Sequence, residues 1–209
     1  PQDKVTSSDD FTQWKDERGF TMRLKNVEML QKDGIVVSAK FTPDSRMQIP
    51  STLFYGKPLD GMTVAMKIKF NDLKGRVPIF STNNHARNAV IRGRNGKMIA
   101  ATVLWKTAQT GQILESDRWY DLAVTCDNYK ARVFLDGEPV AEQEIYDEKN
   151  KIEINEIITI GQTLNNSKDP AFDGEVQNLQ IFNYALSGES VKKIFQGGEI
   201  NKPVGSKER

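Results

Sequence analysis

Apolar and polar residues alternate with a period of two along most of this chain, and helical spacing is scarce. In residues 62–70, Met62, Val64, Met66, Ile68 and Phe70 fall on one side and Thr63, Ala65, Lys67 and Lys69 on the other. That is the pattern of a strand with one face in a core and the other in water. The same criterion predicts strands over 34–41, 76–82, 88–94, 97–105, 119–126, 131–135, 140–145, 157–161 and 176–184. Turn-forming residues separate them, among them Asn95-Gly96, Asp127-Asn128-Tyr129-Lys130 and Asp136-Gly137-Glu138-Pro139. Short strands with turns this frequent, about ten to twelve in all, indicate an all-β sandwich. One helix is predicted, over 187–196. Ser187 is placed to cap it, Val191, Ile194 and Phe195 share a face, and Gly197-Gly198 ends the run.

Composition narrows this reading. The 209 residues suffice for one domain, and 38% hydrophobic content is too high for a largely disordered chain. No Pro- or Ser-rich linker divides the middle. The expected layout is one sandwich over 11–196 between polar tails at 1–10 and 197–209. Phe11, Trp14 and Phe20 predict that the segment after the first tail docks on the body. The most apolar stretch, 98–104, is seven residues with Thr102 inside it, against the roughly 20 that span a bilayer, so no membrane insertion is expected. The lone Cys126 excludes an intrachain disulfide, and the lone His85 a multi-histidine metal centre. A start at Pro1, with no leader-like segment, reads as a processed or trimmed chain.

The formal net charge is only +1, yet the signs are segregated. Residues 73–114 carry Lys74, Arg76, Arg87, Arg92, Arg94, Lys97 and Lys106 and no acid, whereas 115–175 carry 15 acidic and 6 basic residues. In the simpler reading the two blocks are neighbouring strands whose charges offset each other across one sheet. In the other the molecule is electrostatically two-sided, and its basic region binds sulfate, carboxylate or phosphate. Nucleic acid is not expected: the net charge is small and no recognition-helix or RNA-binding motif is present.

Five segments of the second half carry a resemblance. They are Asp117-Arg118-Trp119-Tyr120-Asp121-Leu122-Ala123-Val124-Thr125-Cys126-Asp127, Ala131-Arg132-Val133-Phe134-Leu135-Asp136-Gly137, Ile158-Thr159-Ile160-Gly161, Phe172-Asp173-Gly174-Glu175-Val176 and Ile181-Phe182-Asn183-Tyr184-Ala185-Leu186-Ser187. In this order and spacing they resemble the laminin G-like members of the concanavalin A-like lectin/glucanase superfamily. Ala39-Lys40-Phe41, Arg46-Met47-Gln48-Ile49-Pro50 and Met62-Thr63-Val64 resemble its opening strands, although Lys67 stands where the family often has an aromatic. The resemblance implies a jelly-roll sandwich of two antiparallel sheets. It also implies a secreted, periplasmic or cell-surface location and a role in binding glycans or proteins. Trp119, at the family's strand-leading position, reads as packing.

The superfamily contains glucanases, whose chemistry needs paired carboxylates. A retaining glycosidase needs two carboxyl groups about 5–5.5 Å apart. Glu153 and Glu156 fall on opposite faces of a strand, and Glu142 and Glu144 share a face without a third acid. No enzyme is expected. Asp44, Asp136, Asp169 and Asp173, in turns, are candidates for a structural calcium, although Gln177-Asn178 stands where the family commonly has an acidic pair.

A sugar site needs an aromatic face and planar polar side chains. Trp105 ends a predicted strand inside the acid-free block, Arg92 and Arg94 share a strand face, and Asn83, Asn84, His85 and Arg87 cluster nearby in sequence. These residues are the candidate ligand contacts, against the plainer readings of a core Trp105 and a solvated arginine face. Tyr129 and the loop Asn165-Asn166-Ser167-Lys168 are further aromatic and polar positions within reach of a ligand. The expectation is a non-catalytic, extracellular carbohydrate-binding module with a polysaccharide or other glycan as partner, an anionic glycan being the one the basic block would suit. Its alternative is a protein-interaction or adhesion domain of the same fold, with a glycoside hydrolase less favoured.

Overall fold

The chain forms two large antiparallel sheets because its alternating segments bury one face each against the other. The computed structural model describes residues 11–15, 19–50, 58–72, 77–82, 89–94, 98–103, 106–111, 113–127, 129–145, 151–154, 157–162 and 172–198. Along the chain these contain β1 (Thr12–Lys15), β2 (Thr21–Lys25), β3 (Glu28–Lys32), β4 (Ile35–Phe41), β5 (Arg46–Ile49), β6 (Pro58–Leu59) and β7 (Met62–Asp72). Next come β8 (Val77–Ser81), β9 (Ala89–Arg94), β10 (Met98–Val103), β11 (Lys106–Gln109), β12 (Trp119–Cys126) and β13 (Lys130–Leu135). The series ends with β14 (Glu138–Glu144), β15 (Ile152–Glu153), β16 (Ile158–Gly161), β17 (Asp173–Phe182) and helix α1 (Gly188–Phe195). An eight-stranded sheet has the order β1-β2-β5-β16-β8-β9-β10-β11, and a seven-stranded sheet the order β14-β13-β12-β7-β17-β4-β3. A short β6–β15 pair stands apart from both.

The core lies between the two sheets. Met66 and Ile68 of β7 are fully buried there with Phe41, Phe80, Leu122 and Ile160. Phe172 stacks on Phe41 at 4.9 Å and meets Phe70 edge-on at 6.4 Å. Each such side chain contributes about 1.5–3 kcal/mol by leaving water. Gly174 follows two residues after Phe172 and lies close over β7. A Cβ there would stand 2.0 Å from the Lys69 carbonyl oxygen, so only glycine lets β17 pair at this point.

A second apolar cluster lies on the outer face of the seven-stranded sheet. Ala65 of β7 and Ala123 of β12 are register partners, and their small side chains make room for Leu186 and for Val191 of α1, packed beside Phe134. Thr63 fixes the entry to the helix: its hydroxyl donates to the Tyr184 carbonyl and accepts from the Leu186 amide, each at 2.9 Å. Ser187 caps α1, its hydroxyl accepting from the Ser190 amide at 3.2 Å. The predicted helix and its cap are both found.

Several strand predictions are corrected. The segment after the first tail docks on the body as expected, with Trp14 packed against the core, and contributes the strands β1, β2 and β3 that alternation did not predict. The strand predicted over 97–105 is β10, ending at Val103, and Lys106–Gln109 makes a further strand, β11, paired back on it. The strand predicted from 140 begins at Glu138. Pro139 is tolerated because β14 is an edge strand and the register shifts between Val133 and Phe134. The hairpin before it turns on Asp136 (φ 52°) and Gly137 (φ 80°), both left-handed as a two-residue hairpin turn requires. Asn95-Gly96 and both predicted tails up to residue 10 and from 199 lie outside the described residues.

Candidate functional site

The topology decides where the charge blocks go. Strands β8, β9, β10 and β11, all from the acid-free block, are adjacent and make up one half of the eight-stranded sheet. β12, β13 and β14, from the acidic block, are adjacent in the other sheet. β16, also from the acidic block, pairs with β8 but is uncharged; among the described residues no ladder joins β12, β13 or β14 to β8–β11, so the charged strands of the two blocks are not neighbours in one sheet as the simpler reading had them. The acids find cations within or beside their own sheet instead. Glu142 accepts from Lys130 at 2.6 Å and Arg132 at 2.8 Å, and Arg132 also donates to Asp127 at 3.1 Å. Asp136 takes Arg118 at 2.9 Å.

These pairings bear on catalysis. Hydrogen bonds from Lys130 and then Arg132 hold the Glu142 carboxyl below the ordinary carboxylate range. A general acid needs the opposite shift. Burial raises the Asp127 pKa, but the Lys130 amide, the Arg132 side chain and the Tyr129 amide outweigh it and leave the group lowered. Glu144, the same-face neighbour of Glu142, is exposed on the edge strand.

The residues predicted for the ligand site are placed only in part. Arg92 pairs with Ala100 and Arg94 with Met98 along β9 and β10, at the basic end of the eight-stranded sheet. Their side chains lie outside the described set, as do Asn83, Asn84, His85, Arg87 and Trp105 as a whole, and the loop 165–168. Tyr129 is exposed in its turn. Of the calcium candidates, Asp136 accepts from Arg118 and from the Asp121 amide, and Asp173 accepts from the Asn71 amide group at 2.8 Å. Asp44 is exposed in a turn and Asp169 lies outside the described residues. Among the described residues no three His, Cys, Asp or Glu side chains gather as a metal site would need.

The outer face of the seven-stranded sheet, beyond the helix, carries a cross-strand row of Trp119, Lys69, Glu175, Lys40 and Glu28. Lys69 lies 5.3 Å from the Trp119 ring centre and 2.6 Å from Glu175, and Glu175 also accepts from the Ser38 hydroxyl. Trp119 is therefore half-buried under a lysine on the sheet surface, not inside the core. In the next row Lys67 is 3.4 Å from Asp121 Oδ1, an ion pair without hydrogen-bond geometry.

The eight-stranded sheet presents a different outer face. Arg23, Gln48, Thr159 and Ser81 are register partners in turn across β2, β5, β16 and β8. Gln48, Thr159 and Ser81 are all buried. Arg46 shares this face with Gln48, two residues on, because Met47 between them enters the core. The ring of Phe11 sits over both arginines, 4.6 Å from the Arg23 guanidinium carbon and 5.2 Å from that of Arg46. Arg46 Nε and Gln48 Oε1 are buried without a hydrogen-bond partner. Burial, and then the Arg23 charge, lower the Arg46 pKa. Sequence reasoning passed over this group. The alternation in Arg46-Met47-Gln48 was its one signal, and the contributions of Phe11 and Arg23 require the strand pairing.

A third feature is an apolar groove of about 260 Å³ between the sheet edges, lined by Trp14, Met22, Met29, Met47 and Leu179, with Gln177 and Asn178 at its polar side.

Sequence and structure comparisons place this architecture. A laminin G-type family model, described as the concanavalin A-like lectin/glucanases superfamily, matches residues 41–192, and the chain belongs to that superfamily. No curated protein sequence matches it. Among solved structures it is similar to a heptameric SAP-like pentraxin from Limulus polyphemus, with TM-score 0.55 and 16% identity over 83% of this chain and 81% of that one. A sialidase of Trypanosoma rangeli, solved with 2,3-difluorosialic acid, has TM-score 0.67 and 16% identity over 90% of this chain and 31% of its own. Botulinum neurotoxin type C, whose uptake into cells depends on two ganglioside molecules, gives TM-score 0.64 and 11% identity over 87% and 47%. The chain thus spans less than half of the last two. At these identities the likeness is one of fold.

Proposed function

We propose that the chain is a non-catalytic, extracellular carbohydrate-binding module whose ligand is an anionic glycan. The observation that carries this reading is the gathering of the acid-free block 73–114 into four adjacent strands of one sheet. Arg92 and Arg94 alternate along β9 within it. Guanidinium groups take carboxylate or sulfate in a forked geometry, each such contact worth roughly 1.5–3 kcal/mol. Among the described residues, Asp127, Asp136 and Glu142 of the acidic block take their cations from within that block. Superfamily membership supports a glycan as the partner, and the fold also occurs within a sialidase solved with 2,3-difluorosialic acid and within a toxin whose cell entry depends on gangliosides. The lowered Glu142 supports a binding rather than a hydrolytic role.

A glycan array that includes sulfated and uronic-acid polymers tests the reading. Binding to those polymers, weakened about tenfold or more in Arg92→Ala/Arg94→Ala, is the expected result. A second reading, protein interaction, draws on the exposed Ile35 and Val37 of β4 beside the edge strand β3. Binding confined to neutral sugars, or an empty array, sets the anionic-glycan reading aside.

A further inference from the structure

We propose that Arg46 and Gln48 form a subsite for a hydroxylated anion of the uronic-acid or sulfated-sugar class, and that Phe11 is its lid. The inference takes its ligand class from the anionic-glycan reading but rests on other residues of the same sheet. Phe11 and Arg23 fall outside the family match, which begins at residue 41.

Buried polar groups are almost always paired, because an unpaired one forfeits its bonds to water. Here a donor, Arg46 Nε–H, and an acceptor, Gln48 Oε1, are both left unpaired two residues apart on one strand face. The strands laid side by side at this point, β2, β5 and β16, contain no Asp or Glu. Its register partners are Lys25 on one side and Gly161 on the other. Arg23 adds a second cation on the same aromatic ring. Two buried polar atoms left unpaired on one strand face are held at a cost to folding, and such costs gather at functional sites.

The two orphan atoms specify complementary groups. An oxyanion accepts from the Arg46 guanidinium, and a hydroxyl donates to Gln48 Oε1. A neutral sugar supplies only the second group and inorganic sulfate only the first. A sugar acid supplies both on one ring. Access depends on Phe11. It is 6% exposed, yet it belongs to neither apolar cluster of the molecule. It stands just before β1, the terminal strand of the sheet, which pairs only with β2. Moving the ring aside therefore uncovers the two guanidinium groups without opening the core.

The test follows the side-chain signals of Arg46 Nε–H and Gln48 by NMR in the full chain during titration with D-glucuronate, methyl glucoside or sodium sulfate. Glucuronate is expected to shift both signals, and methyl glucoside to bind about tenfold more weakly or not at all. Sulfate is expected to move Arg46 but not Gln48. In Arg46→Met the Gln48 response to glucuronate disappears while the thermal midpoint holds or rises, since a buried Nε–H without a partner has been removed. In Phe11→Ala glucuronate binds severalfold tighter. The proposal is overturned if glucuronate moves neither signal in wild type and Phe11→Ala, if Arg46→Met binds it unchanged, or if Phe11→Ala binds it more weakly. Polymer binding separates this site from the wider reading. An acidic polymer that binds Arg46→Met as tightly as wild type, yet fails with Arg92→Ala/Arg94→Ala, overturns the subsite and keeps the glycan reading. Glucuronate bound at Arg46 with no polymer bound anywhere does the reverse.

Discussion

The outer faces of the two sheets handle charge in opposite ways. On the seven-stranded sheet, a helix covers the small-residue patch at Ala65 and Ala123, and the remaining polar row is cross-linked from Trp119 through Lys69 and Glu175 to Ser38. On the eight-stranded sheet, arginines share an aromatic ring, and an Nε–H and an amide oxygen lie buried without partners. The first face pairs its charged groups with one another, although Asp121 Oδ1 and Thr125 Oγ1 there also lack hydrogen-bond partners. On the second face two guanidinium groups share the Phe11 ring beside the unpaired Nε–H and amide oxygen, and the proposed subsite rests on that arrangement rather than on the total charge of +1.

Breaking the covered face should have the largest effect. Phe134 is 3% exposed between the sheet and α1, and Phe134→Ala is expected to cost about 3–5 kcal/mol in urea unfolding, through the lost transfer energy and the cavity left behind. A cost under about 1 kcal/mol would mean that the helix contributes little to this face. Glu175→Gln removes the charge partner of Lys69 and is expected to cost about 1–2 kcal/mol. A pH effect accompanies it. Burial raises the Glu175 pKa, but Lys69 and Ser38 outweigh it, so the folded-state value lies below the ordinary one. The stabilisation is thus complete above the unfolded-state pKa and is lost as pH falls through the lower, folded-state pKa. Thermal melts should show wild type losing its advantage over Glu175→Gln across that acidic window. A constant advantage down to strong acid would contradict the assignment. At the small end, Glu28→Gln loosens a 3.9 Å pair between exposed side chains, and stability should change by less than about 0.5 kcal/mol.

The parts of this contrast differ in how far the sequence discloses them. The strand 62–70 is legible because one side of it is wholly apolar and remains so after folding, with Met66 and Ile68 fully buried. The helix is legible through Ser187 and the spacing of Val191, Ile194 and Phe195. β1, β2 and β3 are not: they run four or five residues and include half-exposed positions, so they lack a clean two-residue alternation. The bulge in β17 at Asn178, with φ 50°, is hidden for a similar reason, since a register shift leaves no compositional mark. The charge blocks were visible at once, but their destinations depended on which strands pair. The Arg46–Gln48 group needed more still, because Phe11 and Arg23 reach it from an edge that the alternation did not reveal.

The central claim is that the eight-stranded face binds acidic sugars through charge. Its most direct test is the affinity of a uronic-acid polymer measured across a salt series, for wild type and for Arg92→Ala/Arg94→Ala. The account predicts an affinity that falls by about tenfold or more from 50 to 500 mM salt, with a shallower fall in the double variant. Equal affinity at both ends of the series, or equal binding of a neutral glucan, would contradict it.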